Sequence, residues 1–317
     1  MSNEWQNPPR HPSERDMSGL LLSEAHTGFP GHLGGIRLIE QSTDRRLFLC
    51  ADLDRSLTIW TGGAVVNKIV LRSDGTKARA MDRVHAVAFS EDASLIFVAA
   101  GLHLRCLDAH DGREVWSYRP ANVFGFLQTS PRALVVSKNK SVFMSSDSGE
   151  MCVFRASGEM CARWRSSDAP LFADLHKEGS LIIGSDGATL TVWDIDDRRR
   201  LMRYDCSGRI YGLKVVPRTD KVVLRTDRGI AVFDLYLGRV VRSFHVLPGL
   251  PFIDASAYGQ RLLTGEGGCC AVYSLDGERV GAASAPSGRV ISARFDRQGS
   301  SIHIGSSHGG LSVHSAL

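Results

Sequence analysis

The stretch that decides the fold is VHAVAFSEDASLIFVAAGLHLRCLDAHDGREVWSY, which spans residues 84–118. It consists of four short apolar or alternating runs, and residues that favour turns separate the runs. Runs of this length and composition are typical of β-strands. The stretch therefore predicts a unit of four short strands joined by turns.

Six further stretches repeat this pattern with their turns in register, at residues 34–71, 133–164, 171–204, 209–244, 251–283 and 289–317. A period of about 40 to 45 residues with four short strands per unit is the signature of a propeller blade. Short alternating strands also build sandwiches and barrels, but the regular repetition argues against both. The sequence predicts an all-β fold, a seven-bladed β-propeller over residues 18–317, preceded by a flexible tail at residues 1–17 that is rich in Pro, Asn and charge.

The last unit stops after its third strand, at LSVHSAL. The run GLLLSEA at residues 19–25 belongs to no unit and could supply the missing fourth strand. An open ring would leave two strand edges with unpaired backbone groups. We therefore expect the N-terminal strand to complete the last blade and close the ring.

A Trp-Asp pair ends the third strand of one unit, at Trp193-Asp194, and Leu107-Asp108 and Phe233-Asp234 are degenerate versions of it. In this respect the chain resembles the WD-repeat family. The resemblance covers about nine tenths of the chain. It implies a structural role for Trp193 and Asp194.

The first unit carries the fuller signature of that family: a Gly-His pair containing His32, Asp54 in a turn, and Trp60 at the end of the third strand. The resemblance implies that these three residues form a hydrogen-bonded set that locks the blade. The alternative is that His32 and Asp54 act as a catalytic base and its orienting acid. No Ser or Cys nucleophile is marked out beside them, so the structural interpretation is preferred.

The resemblance also implies that the loops entering the innermost strands gather on one face, here called the loop face, around a central channel. The predicted docking residues at those strand starts are Arg37, Arg83, His85, Phe172, Arg209, Tyr211 and Arg289. Arginine and aromatic residues are enriched in interface hot spots, and a guanidinium forks onto carboxylates. We expect an acidic segment of another protein to bind there; the alternative is that these arginines are solvated loop residues.

Composition restricts the functional classes. A net charge of +4 over 317 residues is small for a dedicated nucleic-acid binder, and the run of three arginines at residues 198–200 is typical of a solvated turn. No apolar run approaches the roughly 20 residues that cross a bilayer, and the first residues lack a secretory signal. Seven cysteines without paired or zinc-type spacing favour a reducing, cytoplasmic location.

The sequence carries no recognisable catalytic or cofactor motif, and His303, His308 and His314 match no metal-ligand spacing. We expect no cofactor and no metal, and a non-catalytic scaffold within a hetero-complex. The alternative is a propeller enzyme or small-ligand binder with its site in the central channel. Asp174 and Asp254 are the only carboxylates that the sequence places on innermost strands. The insert at residues 122–128, NVFGFLQ, either anchors a partner or packs against the ring.

Overall fold

The computed structural model describes residues 35–42, 44, 46–52, 56–61, 64–71, 83–121, 129–137, 141–176, 179–250 and 252–316. These residues form 27 β-strands and contain no α-helix. Accordingly, the described part of the chain has no helix with the length and apolar character needed to span a membrane.

The strands form seven antiparallel sheets, which are the blades of a propeller. Blade 1 comprises β1 (Ile36–Gln41), β2 (Phe48–Asp52), β3 (Ser56–Thr61) and β4 (Ala64–Val70), and blade 2 comprises β5 (Val84–Phe89), β6 (Leu95–Ala100), β7 (His103–Asp108) and β8 (Glu114–Tyr118). Blade 3 comprises β9 (Pro131–Val136), β10 (Ser141–Ser146), β11 (Glu150–Arg155) and β12 (Met160–Arg165), and blade 4 comprises β13 (Phe172–His176), β14 (Leu181–Ser185), β15 (Thr189–Asp194) and β16 (Arg199–Asp205). Blade 5 comprises β17 (Ile210–Val215), β18 (Lys221–Thr226), β19 (Gly229–Asp234) and β20 (Arg239–Phe244), and blade 6 comprises β21 (Ile253–Ala255), β22 (Arg261–Glu266), β23 (Cys269–Ser274) and β24 (Arg279–Ala283). Blade 7 comprises β25 (Val290–Phe295), β26 (Ser301–Ser306) and β27 (Leu311–Ser315).

Within each blade every strand pairs with the next one along the chain, so each blade is a simple meander. The first strands of successive blades contact one another, and β25 of blade 7 contacts β1 of blade 1. The first strands therefore form the innermost ring, around the channel. The seven-bladed, all-β architecture predicted from the repeat is confirmed.

Burial follows strand position within a blade. The second and third strands are almost wholly buried, whereas the fourth strands, such as β16, alternate between exposed and half-buried residues. This pattern arises because the middle strands are covered by neighbouring blades on both faces, while the outermost strand meets water.

Seven apolar clusters are formed by the described residues, one at each interface between adjacent blades. The cluster between blades 7 and 1 joins Leu311 of β27 to Ile36, Ile39, Cys50 and Trp60 of blade 1. Buried apolar surface contributes roughly 25 cal/mol per Å². Apolar packing thus joins every pair of neighbours, including the first and last blades.

Polar contacts also cross the interface between blades 7 and 1. Ser292 Oγ donates to the carbonyl of Ile36 at 3.0 Å, and the backbone N–H of Arg297 donates to Gln41 Oε1 at 2.9 Å. The ring is therefore closed by contacts between inner strands. The expected fourth strand of blade 7, residues 19–25, lies outside the described residues, where this blade has three strands.

One type of turn joins the third and fourth strands in three blades. Oδ1 of Asp108, Asp194 or Asp234 accepts hydrogen bonds from the two backbone N–H groups that lie two and three residues later, at 2.8–3.3 Å. The fourth residue after each Asp has positive φ: these residues are Gly112, Arg198 and Gly238. The Asp of the Trp-Asp pair therefore caps a turn, as Asp side chains commonly do.

Of the remaining residues that the family resemblance singled out, two are described by the structure and two are not. Trp193 is buried in the apolar cluster between blades 3 and 4, and its indole Nε1 donates to Thr191 Oγ1 of the same strand at 3.1 Å. Trp60 is buried at the interface of blades 7 and 1. His32 and Asp54 lie outside the described residues, as do Phe124 and Phe126 of the insert.

Candidate docking site at the mouth of the channel

A recurrent irregularity at the start of the innermost strands builds the mouth of the channel on the loop face. In blades 1, 2, 5 and 7 the register between the first and second strands shifts by one residue, and the extra residues are Arg37, His85, Tyr211 and Ile291. The corresponding irregularity in blade 3 contains Arg132. Such bulges redirect a side chain at the end of a sheet.

The predicted docking residues all lie at these strand starts. Arg83, Arg209 and Arg289 are exposed and immediately precede strands β5, β17 and β25. Phe172 opens β13 and is 37% exposed, which is unusual for a large apolar side chain in this chain's inner strands. The predicted set therefore surrounds one end of the channel.

The structure brings Arg37, Arg83 and His85 together with Arg132, and these four residues are called the mouth cluster below. Burial and the positive charges of Arg83 and Arg132 lower the pKa of Arg37. His85 experiences the charge of all three arginines. The other predicted residues lie farther around the ring: the guanidinium of Arg209 lies 5.5 Å from the Tyr211 ring centroid, a cation–π contact.

Arg132 is the member of the mouth cluster that the sequence prediction missed. The third unit was counted from residue 133, so the residue before it was not aligned with the strand starts of the other units. Aligning PRALVV on its apolar residues with VHAVAF would have placed Arg132 beside His85.

His85 is uncharged at neutral pH. Burial, followed by the charges of Arg132 and Arg37, lowers its pKa to about 4, although the carboxylate of Asp147 opposes this effect. Arg132 Nη1 lies 3.4 Å from His85 Nδ1. A guanidinium has only donors, so Nδ1 is the acceptor and the imidazole proton resides on Nε2. The cluster thus contains an uncharged N–H donor.

One carboxylate compensates part of this positive charge. Asp147, in the turn between β10 and β11, places Oδ2 3.2 Å from Arg132 Nη2, and its Oδ1 accepts the backbone N–H of Ser130 at 2.9 Å. In the described part of the chain, neither Arg37 nor Arg83 forms an ion pair. Among the described residues, two guanidiniums of the mouth cluster therefore have no ion-pairing carboxylate.

The opposite end of the channel has a different character. Glu40, Asp174, Lys214, Asp254 and Arg294 occupy the same register position on the innermost strands of blades 1, 4, 5, 6 and 7. They are called the charged belt below, and they line a cavity of about 830 Å³. The sequence placed only Asp174 and Asp254 on the channel wall; that count was wrong, because Glu40 is a third carboxylate on an innermost strand.

Charges in the belt alternate in sign, and they join neighbouring blades. Lys214 Nζ lies 3.0 Å from Asp174 Oδ2, and Arg294 pairs with Glu40 across the interface of blades 7 and 1. Asp254 Oδ2 accepts the backbone N–H of Phe295 in the next blade at 2.9 Å. The belt is therefore part of the framework that holds blades 4, 5, 6, 7 and 1 together.

The other candidate sites show contacts that belong to the fold. Arg200, from the run of three arginines, pairs with Asp168, and Arg203 also lies 3.7 Å from that carboxylate. The His303 ring contacts the Phe48 ring in a tilted arrangement, with ring centroids 4.3 Å apart. Within the ranges described, no group of three or more His, Cys, Asp or Glu side chains is arranged to hold a metal ion.

The fold and the mouth define a class: a seven-bladed β-propeller with a basic mouth at one end of its channel and a charged belt at the other. Neither the protein-family models nor the curated proteins searched contain a match to this chain.

Proposed function

We propose that this chain is a divergent WD-repeat propeller that acts as a non-catalytic scaffold in a hetero-complex and docks an acidic segment of a partner protein on its loop face. The observation that carries the proposal is the mouth cluster, where Arg37 and Arg83 lie near Arg132 without ion-pairing carboxylates among the described residues. Grouping like charges opposes folding, so fold stability does not account for the cluster. An anionic partner would compensate it.

The surroundings of the cluster suit a protein surface. Leu171 and Phe172 are each 37% exposed at the start of β13, and Tyr211 stacks with Arg209 at the start of β17. A partner segment lying across the mouth would meet guanidiniums on one side and apolar or aromatic side chains on the other. That combination is typical of interface hot spots.

The second candidate is a small-ligand binder or enzyme at the other end of the channel, and the cavity beside the charged belt favours it. The carboxylates there already have fold-holding partners, since Asp174 binds Lys214 and Asp254 accepts a backbone N–H. The scaffold therefore explains more of the described charges than a channel enzyme does.

We also propose an intracellular, reducing location for the scaffold. All seven cysteines are unpaired, and Cys50, Cys106, Cys152 and Cys270 are buried. Disulfides are common in proteins of oxidising compartments, so a chain with seven free thiols is better suited to a reducing one.

The test is affinity purification from the native source with the intact chain and with the triple variant Arg83→Glu, Arg209→Glu, Arg289→Glu. The matched control is Arg113→Glu, Arg198→Glu, Arg239→Glu, which changes three exposed arginines at or beside the turns between third and fourth strands, on the opposite face. We expect stoichiometric polypeptides with the intact chain and with the control, and their loss with the triple variant. Isolation of the intact chain alone with a bound small molecule would instead support the channel ligand.

A further inference from the structure

The geometry of the mouth cluster restricts the kinds of anionic group that a partner could place there. Arg37, His85 and Arg132 come from equivalent bulged positions on three consecutive innermost strands, β1, β5 and β9, which contact one another in that order. Arg83 lies two residues before His85 on the same segment. Three guanidiniums and one imidazole thus converge from neighbouring strands, and the sheet framework fixes their backbones.

The cluster has more positive charge than one carboxylate can compensate. Asp147 pairs with Arg132, and Arg37 is half-buried where the other two guanidiniums repel it. A carboxylate carries one negative charge and accepts one bidentate guanidinium. A phosphate monoester carries about two negative charges at neutral pH and presents three strong acceptor oxygens.

His85 adds a donor without adding charge. Because Arg132 donates toward Nδ1, the N–H of His85 is on Nε2 and remains available to an anion. A group with three terminal oxygens could accept from two or three guanidiniums and from this imidazole together. Clusters of arginine are a recurrent means of recognising phosphorylated side chains.

Nucleic acid fits the arrangement less well. Single-stranded nucleic acid binds along grooves that follow the backbone and carry aromatic stacking platforms. The mouth cluster is instead a compact patch on three adjacent strand starts, with one partial stacking surface farther away, at Tyr211. One isolated phosphoryl group matches a compact patch better than a continuous phosphodiester chain does.

We propose that Arg37, Arg83, His85 and Arg132 form a pocket for the phosphoryl group of a phosphorylated serine or threonine in the partner segment. The inference rests on the proposed function and makes docking dependent on phosphorylation of the partner. Asp147 orients Arg132 in the free protein, and the incoming phosphate supplies the anion that Arg37 and Arg83 do not have among the described residues.

The experiment uses the full chain and fluorescein-labelled degenerate peptide pools with one fixed central residue: phosphoserine, phosphothreonine, serine or glutamate. Affinity is measured by fluorescence polarisation. We expect the phosphorylated pools to bind at least about tenfold more tightly than the serine and glutamate pools, because a phosphoryl group presents more charge and more acceptor oxygens to the guanidiniums. The variant Arg37→Gln, Arg83→Gln, Arg132→Gln should abolish this preference.

Two controls separate charge from geometry. The variant Arg113→Gln, Arg198→Gln, Arg239→Gln loses the same charge on the opposite face and should retain the preference. The triple Arg→Lys variant of the cluster keeps the charge but loses the planar forks, so we expect an intermediate affinity. Melting temperatures of all variants report whether each one folds.

The outcomes decide between the pocket and the broader proposal. Equal binding of the glutamate and phosphoserine pools, still dependent on the cluster, would reject the phosphoryl pocket and leave the acidic docking site intact. A phosphopeptide preference that survives in the cluster variant, tighter binding of a labelled single-stranded RNA, or no binding of any pool would also reject the pocket. In those cases the scaffold proposal is tested separately, by the affinity purification with the Arg→Glu variants.

Discussion

Asp174 is the point at which the charged belt can be tested most directly. Its Oδ2 lies 3.0 Å from Lys214 Nζ and also accepts the backbone N–H of Val215 at 2.9 Å. Both contacts cross from blade 4 to blade 5. The two side chains are 18% and 25% exposed, so water screens the ion pair only in part. Replacing Asp174 therefore removes two different links between the same pair of blades.

The substitution Asp174→Ala leaves the Val215 N–H without its acceptor, which costs about 1–3 kcal/mol. Loss of a partly exposed ion pair adds up to about 1 kcal/mol, so we expect the free energy of unfolding to fall by about 1–4 kcal/mol. In a chain of this size the melting temperature changes by roughly 2 °C per kcal/mol, which predicts a decrease of about 2–8 °C. Asp174→Asn keeps an oxygen acceptor for Val215 and loses only the charge, so its decrease should be at most about 2 °C.

Differential scanning calorimetry of the full chain measures these shifts, with Asp196→Ala in an exposed turn as the matched control. The control should change the melting temperature by less than about 1 °C. If Asp174→Ala melts at the same temperature as the intact protein, the two contacts of Asp174 do not stabilise the interface between blades 4 and 5. The expectation is also wrong if the Asn variant loses as much stability as the Ala variant, because the hydrogen bond would then be irrelevant.

Three further predictions concern the ring. Burial raises the pKa of Asp254 to about 6, so this carboxyl stabilises the fold fully below about pH 4 and loses that contribution as the pH rises through 6. Relative to the intact protein, Asp254→Asn should therefore gain about 2–3 kcal/mol between pH 4 and 7 in urea unfolding, and parallel pH profiles would contradict this. Gly305→Ala would place a Cβ 2.7 Å from Ile36 Cγ2 at the interface of blades 7 and 1, so we expect the free energy of urea unfolding to fall by about 1–3 kcal/mol. In the control Gly310→Ala the nearest atom to the new Cβ is 3.3 Å away, so this variant should lose less stability. Equal losses in the two variants would show that the interface relaxes around the new Cβ. Deleting residues 20–23 should lower the melting temperature if they complete blade 7, and an unchanged transition would refute closure by the N-terminal strand.

The strand pattern was predictable because each blade repeats the same local pattern of apolar and turn-forming residues. Alternating apolar residues and turn-forming Asp and Gly recur in every unit, and the turns capped by Asp108, Asp194 and Asp234 depend only on residues within a few positions of one another. Such signals are local, so a single sequence displays them. The number of blades followed from counting the repeats.

The site was predictable only in part. Arg37, Arg83 and His85 could be placed at strand starts, but Arg132 was missed because the third unit was counted from residue 133, so its strand start was not aligned with those of the other units. Glu40 was also missed as a channel carboxylate, and its partner Arg294 is about 250 residues away in sequence. The periodicity within one unit cannot predict a contact between two residues that lie so far apart in the sequence.

The amino-acid sequence by itself determined the number of blades and the order of strands within each blade. These properties follow from hydrophobic alternation and turn chemistry, which act between near neighbours. Only the tertiary structure decided which charges meet: at one end of the channel three arginines share one ion-pairing acid among the described residues, and at the other end acids and bases alternate. Electrostatic energy depends on distance in space, and the ring brings together residues from blades that are far apart along the chain.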